Sequence, residues 1–244
     1  MTLGYNVLLS QLTRGYLQQN FTTALGIRPL DAGTASFDLV PHLVNGQRVV
    51  ILRAADLLEA QPGNEREMPI FGYWVPQGDS CVIPVRAGGL RQLVFTPDLS
   101  GCSIMVDQID ADNYRVYHVQ GGALHFQREY LNHPARLNVL GLAAAMTTDD
   151  YSDPQQPRGF AFLKYEEDRW WIYVQKQTGI GLGWVQGQLM AIGGAQLPRG
   201  GIRMPVADLM HDIPRVYGSQ NGFALRSVRN FRVQRRLMPN DDIW

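Results

Sequence analysis

The chain has 244 residues, of which 45% are hydrophobic and 18% charged, and its 22 basic and 22 acidic residues cancel. That balance excludes a strongly basic nucleic-acid binder, and the apolar content excludes a disordered chain. A polypeptide of this length buries roughly three-quarters of its unfolded surface, so it needs neither a metal nor a disulfide framework; Cys81 and Cys102 are too few for one and read as reduced thiols.

Val7, Leu8, Leu12, Tyr16 and Leu17 recur at helical spacing and predict an amphipathic helix over residues 4–19. Asn6, Ser10, Gln11 and Arg14 interrupt that stretch, and it lacks a basic leader, which makes it a poor secretory signal. No window is apolar for long enough to predict a membrane span. Ser36–Val40 and Gln47–Arg53 read as strands around Asn45-Gly46, a dipeptide suited to a tight hairpin. Ala55–Ala60 reads as a helical turn and Gln61–Arg66 as a polar break. Strands are predicted at Pro69–Val75, Cys81–Arg86, Gln92–Phe95, Ser103–Val106 and Tyr114–Val119. Phe126–Met146 is predicted as a second helical region, begun or broken by Pro134. An acidic loop at Thr147–Arg158 precedes a hairpin of Gly159–Tyr165 and Trp170–Gln177, turned by Glu166-Glu167-Asp168. A strand at Gln188–Ile192 and a strand pair or short helix at Phe223–Leu237 complete the pattern. Many short strands without β-α-β alternation predict an α+β fold: a strand-rich, sandwich-like core of mixed sheets with peripheral helices. No stretch reads as a linker, so residues 1–244 are taken as a single domain.

Chemistry concentrates at Phe95-Thr96-Pro97-Asp98-Leu99-Ser100-Gly101-Cys102 and Val116-Tyr117-His118-Val119. In a hairpin centred on Asp110, Val106 faces Tyr114, Ile104 faces Val116 and Cys102 faces His118. Directly opposed Cβ atoms lie ~4.5–5.5 Å apart, close enough for a thiol to meet an imidazole. An adjacent imidazolium lowers a thiol pKa from ~8.5 toward the reactive thiolate. Gly101 permits a sharp turn before the nucleophile. Ser100 and the backbone N–H groups around Cys102 are candidate oxyanion donors. Thr96, held extended by Pro97, offers a hydroxyl to the second ring nitrogen of His118. By spacing alone, such a Cys and His are more often a small core residue and a satisfied histidine.

The run Phe-Thr-x-x-Leu-Ser-Gly-Cys, followed by an aromatic-His-apolar strand, resembles the glutamine deamidase toxins: the Burkholderia lethal factor and the catalytic domain of the cytotoxic necrotizing factors. Their shared Leu-Ser-Gly-Cys motif is matched by Leu99–Cys102 and their downstream catalytic histidine by His118. Thr96 matches the lethal factor's threonine, and the resemblance covers some 25 residues around the site. It implies that Cys102 attacks the carboxamide of a glutamine in a host protein while His118 takes the thiol proton and returns it to departing ammonia. The implied target is a translation-initiation RNA helicase, or else a Rho-type GTPase. The implied protein is a monomeric effector, secreted or injected by a bacterium into the host cytosol, needing no cofactor or metal and touching no nucleic acid directly. A thiol protease or transglutaminase would use the same pair, and a non-enzymatic β-rich interaction module would use neither.

Other features carry less. Cys81 reads as a buried structural thiol. His125, His133, Asp107, Asp110 and Asp112 lack metal-site spacing. Gly179–Gly183 lacks a phosphate-binding lysine. Arg226, Arg229, Arg232, Arg235 and Arg236 read as a solvated face, and Trp74, Trp170 and Trp171 as core or rim aromatics.

Overall fold

The computed structural model describes residues 4–25, 30–44, 46–55, 67–151, 158–178, 181–185, 188–192, 197–212 and 242–244. Two short helices, α1 (Tyr5–Gln11) and α2 (Thr13–Gln19), open the chain. They are followed by β1 (Phe21–Thr23), β2 (Gly33–Val44), β3 (Gln47–Ala54), β4 (Ile70–Trp74), β5 (Ser80–Pro84) and β6 (Leu93–Phe95). Next come β7 (Ser103–Gln108), β8 (Asn113–Val119), the single turn α3 (Ala123–Phe126), β9 (Gly141–Met146) and α4 (Thr148–Tyr151). The remainder is β10 (Gly159–Glu166), β11 (Arg169–Thr178), β12 (Gly181–Val185), β13 (Gln188–Ile192), β14 (Leu197–Pro205) and β15 (Asp242–Ile243).

The strands form a nine-stranded sheet in the order β1-β3-β2-β4-β6-β10-β11-β14-β15, a four-stranded sheet β5-β8-β7-β9, and the hairpin β12-β13. Side-chain alternation assigns their faces. Ile104, Val106, Val116 and Ala144 from the small sheet pack with Ala161, Leu163, Ile172, Val174 and Ile202 from the large one. The opposite face of the large sheet, with Phe37, Val50, Phe95 and Phe162, is covered by Leu9, Tyr16 and Leu17 of the opening helices. The outer face of the small sheet (Met105, Tyr117, Val119, Ala145) is covered by Tyr130 and Phe126. The fold is thus the strand-rich, layered α+β arrangement that the sequence predicts. Trp74, Trp170 and Trp171 are buried in its cores.

The first and last of the three predicted hairpins form where expected. Val44 pairs with Gln47 across residues 45 and 46. Glu166 pairs with Arg169 across Glu167 and Asp168, which adopt φ of 51° and 59°, the left-handed pair that suits a twisted two-residue turn.

Two helical expectations are corrected. The opening helix breaks at Leu12 (φ −125°, ψ 45°), which is exposed, and the buried stripe is Asn6, Leu9, Thr13, Tyr16 and Leu17. Thr13 Oγ1 donates to the Leu9 carbonyl at 2.7 Å, a back-bond that bends helices. Asn6 takes a core position because its amide donates to Asp38 and the Met68 carbonyl and accepts the Leu39 N–H. In the second predicted helical region, α3 runs into a π-turn (Gln127–Leu131) and a 3-10 turn (Pro134–Arg136), and Gly141–Met146 is a strand paired with β7. The alanines there favour a helix by propensity. However, Ala143 and Ala144 fill the inter-sheet core while Ala145 faces the outer cluster, so tertiary burial on both faces decides the outcome. The helical turn expected at Ala55–Ala60 (beyond Ala55), the break at Gln61–Arg66, and Phe223–Leu237 with its arginines lie outside the described residues. Among the described residues no helix is long and apolar enough to cross a membrane.

Candidate active site

The site begins with the β7–β8 turn. Asp110 Oδ1 accepts the Asp112 N–H at 2.8 Å and the Asn113 side-chain amide at 3.0 Å, while the Ile109 N–H donates to the Asn113 carbonyl at 2.9 Å. This Asx turn centres the hairpin on Ala111 rather than Asp110. Gln108 therefore pairs with Tyr114, Val106 with Val116 and Ile104 with His118. Cys102 is not opposite His118, as the sequence reading had it, but diagonal to it. A shift of two residues preserves every face, so both side chains remain on the inner face, but the diagonal places them farther apart than directly opposed residues, and no hydrogen bond joins Cys102 Sγ to His118 Nε2.

Thr96 reaches His118 from the other layer, just beyond the end of β6. Its Oγ1 donates to the Val75 carbonyl at 2.9 Å and is hydrogen-bonded to His118 Nδ1. A hydroxyl has one proton. With that proton on Val75, Nδ1–H must be the donor to Thr96, which leaves Nε2 as the bare, basic nitrogen. Nε2 is buried and has no hydrogen-bond partner among the described residues. The backbone is also pinned: His118 N–H donates to the Asp79 carbonyl at 3.1 Å, and Gly78 N–H donates to the His118 carbonyl at 2.8 Å.

Around the sulfur, the structure separates the predicted supporting groups. The Gly101 N–H donates to Tyr151 Oη at 3.1 Å, and that hydroxyl donates to the Cys102 carbonyl at 2.8 Å. The Gly101 N–H is therefore already engaged and supports the site through its backbone. Its contribution is conformational, with φ at 95°, a region that glycine tolerates. Ser100 is exposed, and its backbone N–H and that of Gly121 face the sulfur, where each favours a thiolate. Gly121 is needed for its close approach, since a Cβ there would lie 2.8 Å from the Gly101 carbonyl oxygen.

Two further residues at the site escaped sequence reasoning. Gln77, in the exposed turn between β4 and β5, donates its side-chain amide to Cys102 Sγ at 3.6 Å. Glu129, in the π-turn, accepts the Gln120 N–H at 2.8 Å just after β8. The only signal for Gln77 was its polar turn ahead of a strand. Glu129 had none, because its neighbours are set by tertiary packing.

Cys102 and His118 are 2% and 1% exposed. Burial pushes the Cys102 thiol up and pushes His118 down to about 4. The resting pair at neutral pH is thus a thiol and a neutral imidazole. The expected imidazolium-lowered thiol is corrected, because desolvation disfavours both charged forms.

The residues set aside occupy structural positions. Cys81 is a free, buried thiol on β5, paired with Val116. Asp107 is buried and accepts Tyr130 Oη and Arg136 Nε, both at 2.7 Å. His125 bonds Glu129, and His133 accepts the Ala135 N–H. Among the described residues, no group of three or more His, Cys, Asp or Glu could hold a metal.

Residues 82–186, a span that includes Thr96, Cys102 and His118, match the family model of the Mcf1 activator-binding domain. No curated protein matches the chain. The C-terminal domain of CNFy from Yersinia pseudotuberculosis is similar over 80% of this chain and 97% of its own length, at 10% identity and a TM-score of 0.31; that superposition is too loose to establish a shared fold.

Proposed function

We propose that this chain is a cysteine-dependent amidohydrolase that converts a glutamine side chain of a partner protein to glutamate, acting as a toxin effector. The observation that carries the reading is the prepared base: Nδ1 of His118 is fixed by Thr96, while Nε2 is bare, buried and on the same sheet face as Cys102. The match of residues 82–186 to the toxin-related Mcf1 domain supports the effector role.

Nε2 takes the Cys102 proton as sulfur attacks the glutamine Cδ, so no resting thiolate is needed. The developing oxyanion is met by the N–H groups of Ser100 and Gly121 and by the Gln77 amide, the donors that already surround the sulfur. Collapse breaks the C–N bond, and His118 returns its proton to the leaving nitrogen, releasing ammonia and a thioester. Water, deprotonated by Nε2, then releases glutamate and restores the thiol. Gln77 is exposed, so its side chain is free to turn its amide from the sulfur to the oxygen of the incoming carboxamide. A helicase or a GTPase whose glutamine positions substrate or water is the target class, since the product gains a negative charge there.

A second reading follows from the family model's name: a non-catalytic module that docks a protein partner. Leu124 and Leu137, 82% and 84% exposed on the segment between β8 and β9, are the apolar residues it would use.

Peptide mapping of host-cell proteins after exposure to wild type and to Cys102→Ser decides between them. A peptide gaining about one dalton, the mass of an amide exchanged for an acid, is expected with wild type alone. A gain that persists with Cys102→Ser, or no gain with either, overturns the enzymatic reading.

A further inference from the structure

The site has a charged member that no motif announces. Glu129 lies in the π-turn over the outer face of the small sheet, and its side chain is 6% exposed. Oε2 accepts the Gln120 N–H at 2.8 Å, which fixes the segment leading into Gly121. Oε1 is held by His125 Nδ1 at 2.8 Å and Arg128 Nη2 at 2.7 Å. A Cβ on Gly78 would sit 3.6 Å from this carboxyl group, and Gly78 is the residue whose N–H bonds the His118 carbonyl. The carboxylate therefore lies against both backbone segments that frame the reacting pair.

We propose that Glu129 is a positioning residue for the Cys102–His118 pair: it fixes the Gln120–Gly121 segment beside the sulfur and supplies the negative charge that stabilises the His118 imidazolium formed during proton transfer. This rests on Cys102 and His118 working as nucleophile and base. It gives Glu129 the electrostatic role that an aspartate has in a three-residue triad, while neutral Thr96 keeps the orienting role. Its charge raises the His118 pKa and also raises that of Cys102, so it favours the imidazolium but not a free thiolate. The other charged or titratable groups near the pair are His125 and Arg128, both bonded to Glu129, Asp79, whose carboxylate is turned to the Ser80 N–H, and Tyr151, whose hydroxyl donates to the Cys102 carbonyl and whose own ionisation is held off by burial.

The test uses the full chain, and its two midpoint readouts need no substrate. Alkylation of Cys102 by iodoacetamide across pH reads the thiol midpoint, and ring ¹⁵N shifts read that of His118. Glu129→Gln keeps an oxygen for the Gln120 N–H and removes the charge. Both midpoints are expected to fall, speeding alkylation severalfold at pH 8, while glutamine turnover drops about tenfold. Arg128→Gln, at an exposed position, leaves the carboxylate less compensated and is expected to raise both midpoints, which provides an independent reading if Glu129→Gln does not fold. Midpoints that stay at wild-type values in the folded variants overturn the proposal. Wild-type protein that deamidates nothing overturns the enzymatic reading instead, and the midpoints still report on Glu129.

Discussion

Replacing Thr96 with valine isolates the hydroxyl on which the base depends. Valine matches the shape of threonine, so at a position 3% exposed the change removes hydrogen bonding and little packing. Two buried groups lose their partner: the Val75 carbonyl, bonded at 2.9 Å, and His118 Nδ1–H. Each orphaned group costs about 1–3 kcal/mol, so the expected loss of stability is about 2–6 kcal/mol, against about 5–15 kcal/mol for a typical domain. With the hydroxyl gone nothing holds the proton on Nδ1, neither ring nitrogen then has a partner among the described residues, and any population with the proton on Nε2 has lost the basic lone pair there. Losing a hydrogen bond to a charged ring weakens proton transfer by about 1.5–3 kcal/mol, a fall in turnover of roughly 10- to 100-fold. Urea unfolding reads the first quantity, ring ¹⁵N spectra read the tautomer, and Cys102-dependent ammonia release reads the third; Thr96→Ser is expected to restore all three. A valine variant that keeps Nδ1–H and turns over within twofold of wild type would refute the reasoning, even if it were less stable.

Two other outcomes follow from buried charge. His118 has a folded pKa of about 4 against ~6.5 when unfolded, so between those values the unfolded chain binds the extra proton and stability falls as pH falls. The loss from this group is about 3 kcal/mol on going from pH 7 to pH 4, and His118→Gln is expected to flatten that part of the pH–stability curve; an unchanged curve refutes it. Arg136→Met leaves Asp107 buried without its cation and is expected to cost about 3–5 kcal/mol in denaturant unfolding, a loss below 1 kcal/mol contradicting the assignment.

What the sequence disclosed was local. Alternation within Ser103–Val106 and Tyr114–Val119 placed Cys102 and His118 on one face, and that survives because a two-residue slip leaves faces intact. The register itself depended on Asp110 capping its turn, a side-chain bond that alternation does not reveal. Gly141–Met146 looked helical because alanine's propensity is intrinsic, whereas its burial between neighbours is not. Gln77 and Glu129 arrive from separate turns through strand order alone, and the lowered His118 pKa reflects enclosure that no spacing rule measures.

Thr96 belongs to the large sheet's side of the interlayer seam, while Cys102 and His118 belong to the small sheet's. A chain whose two halves have not yet closed on each other has its imidazole wet, untethered and ordinary. Assembly of the sandwich therefore desolvates the ring and fixes its tautomer at once, so completing the core and orienting His118 are one event.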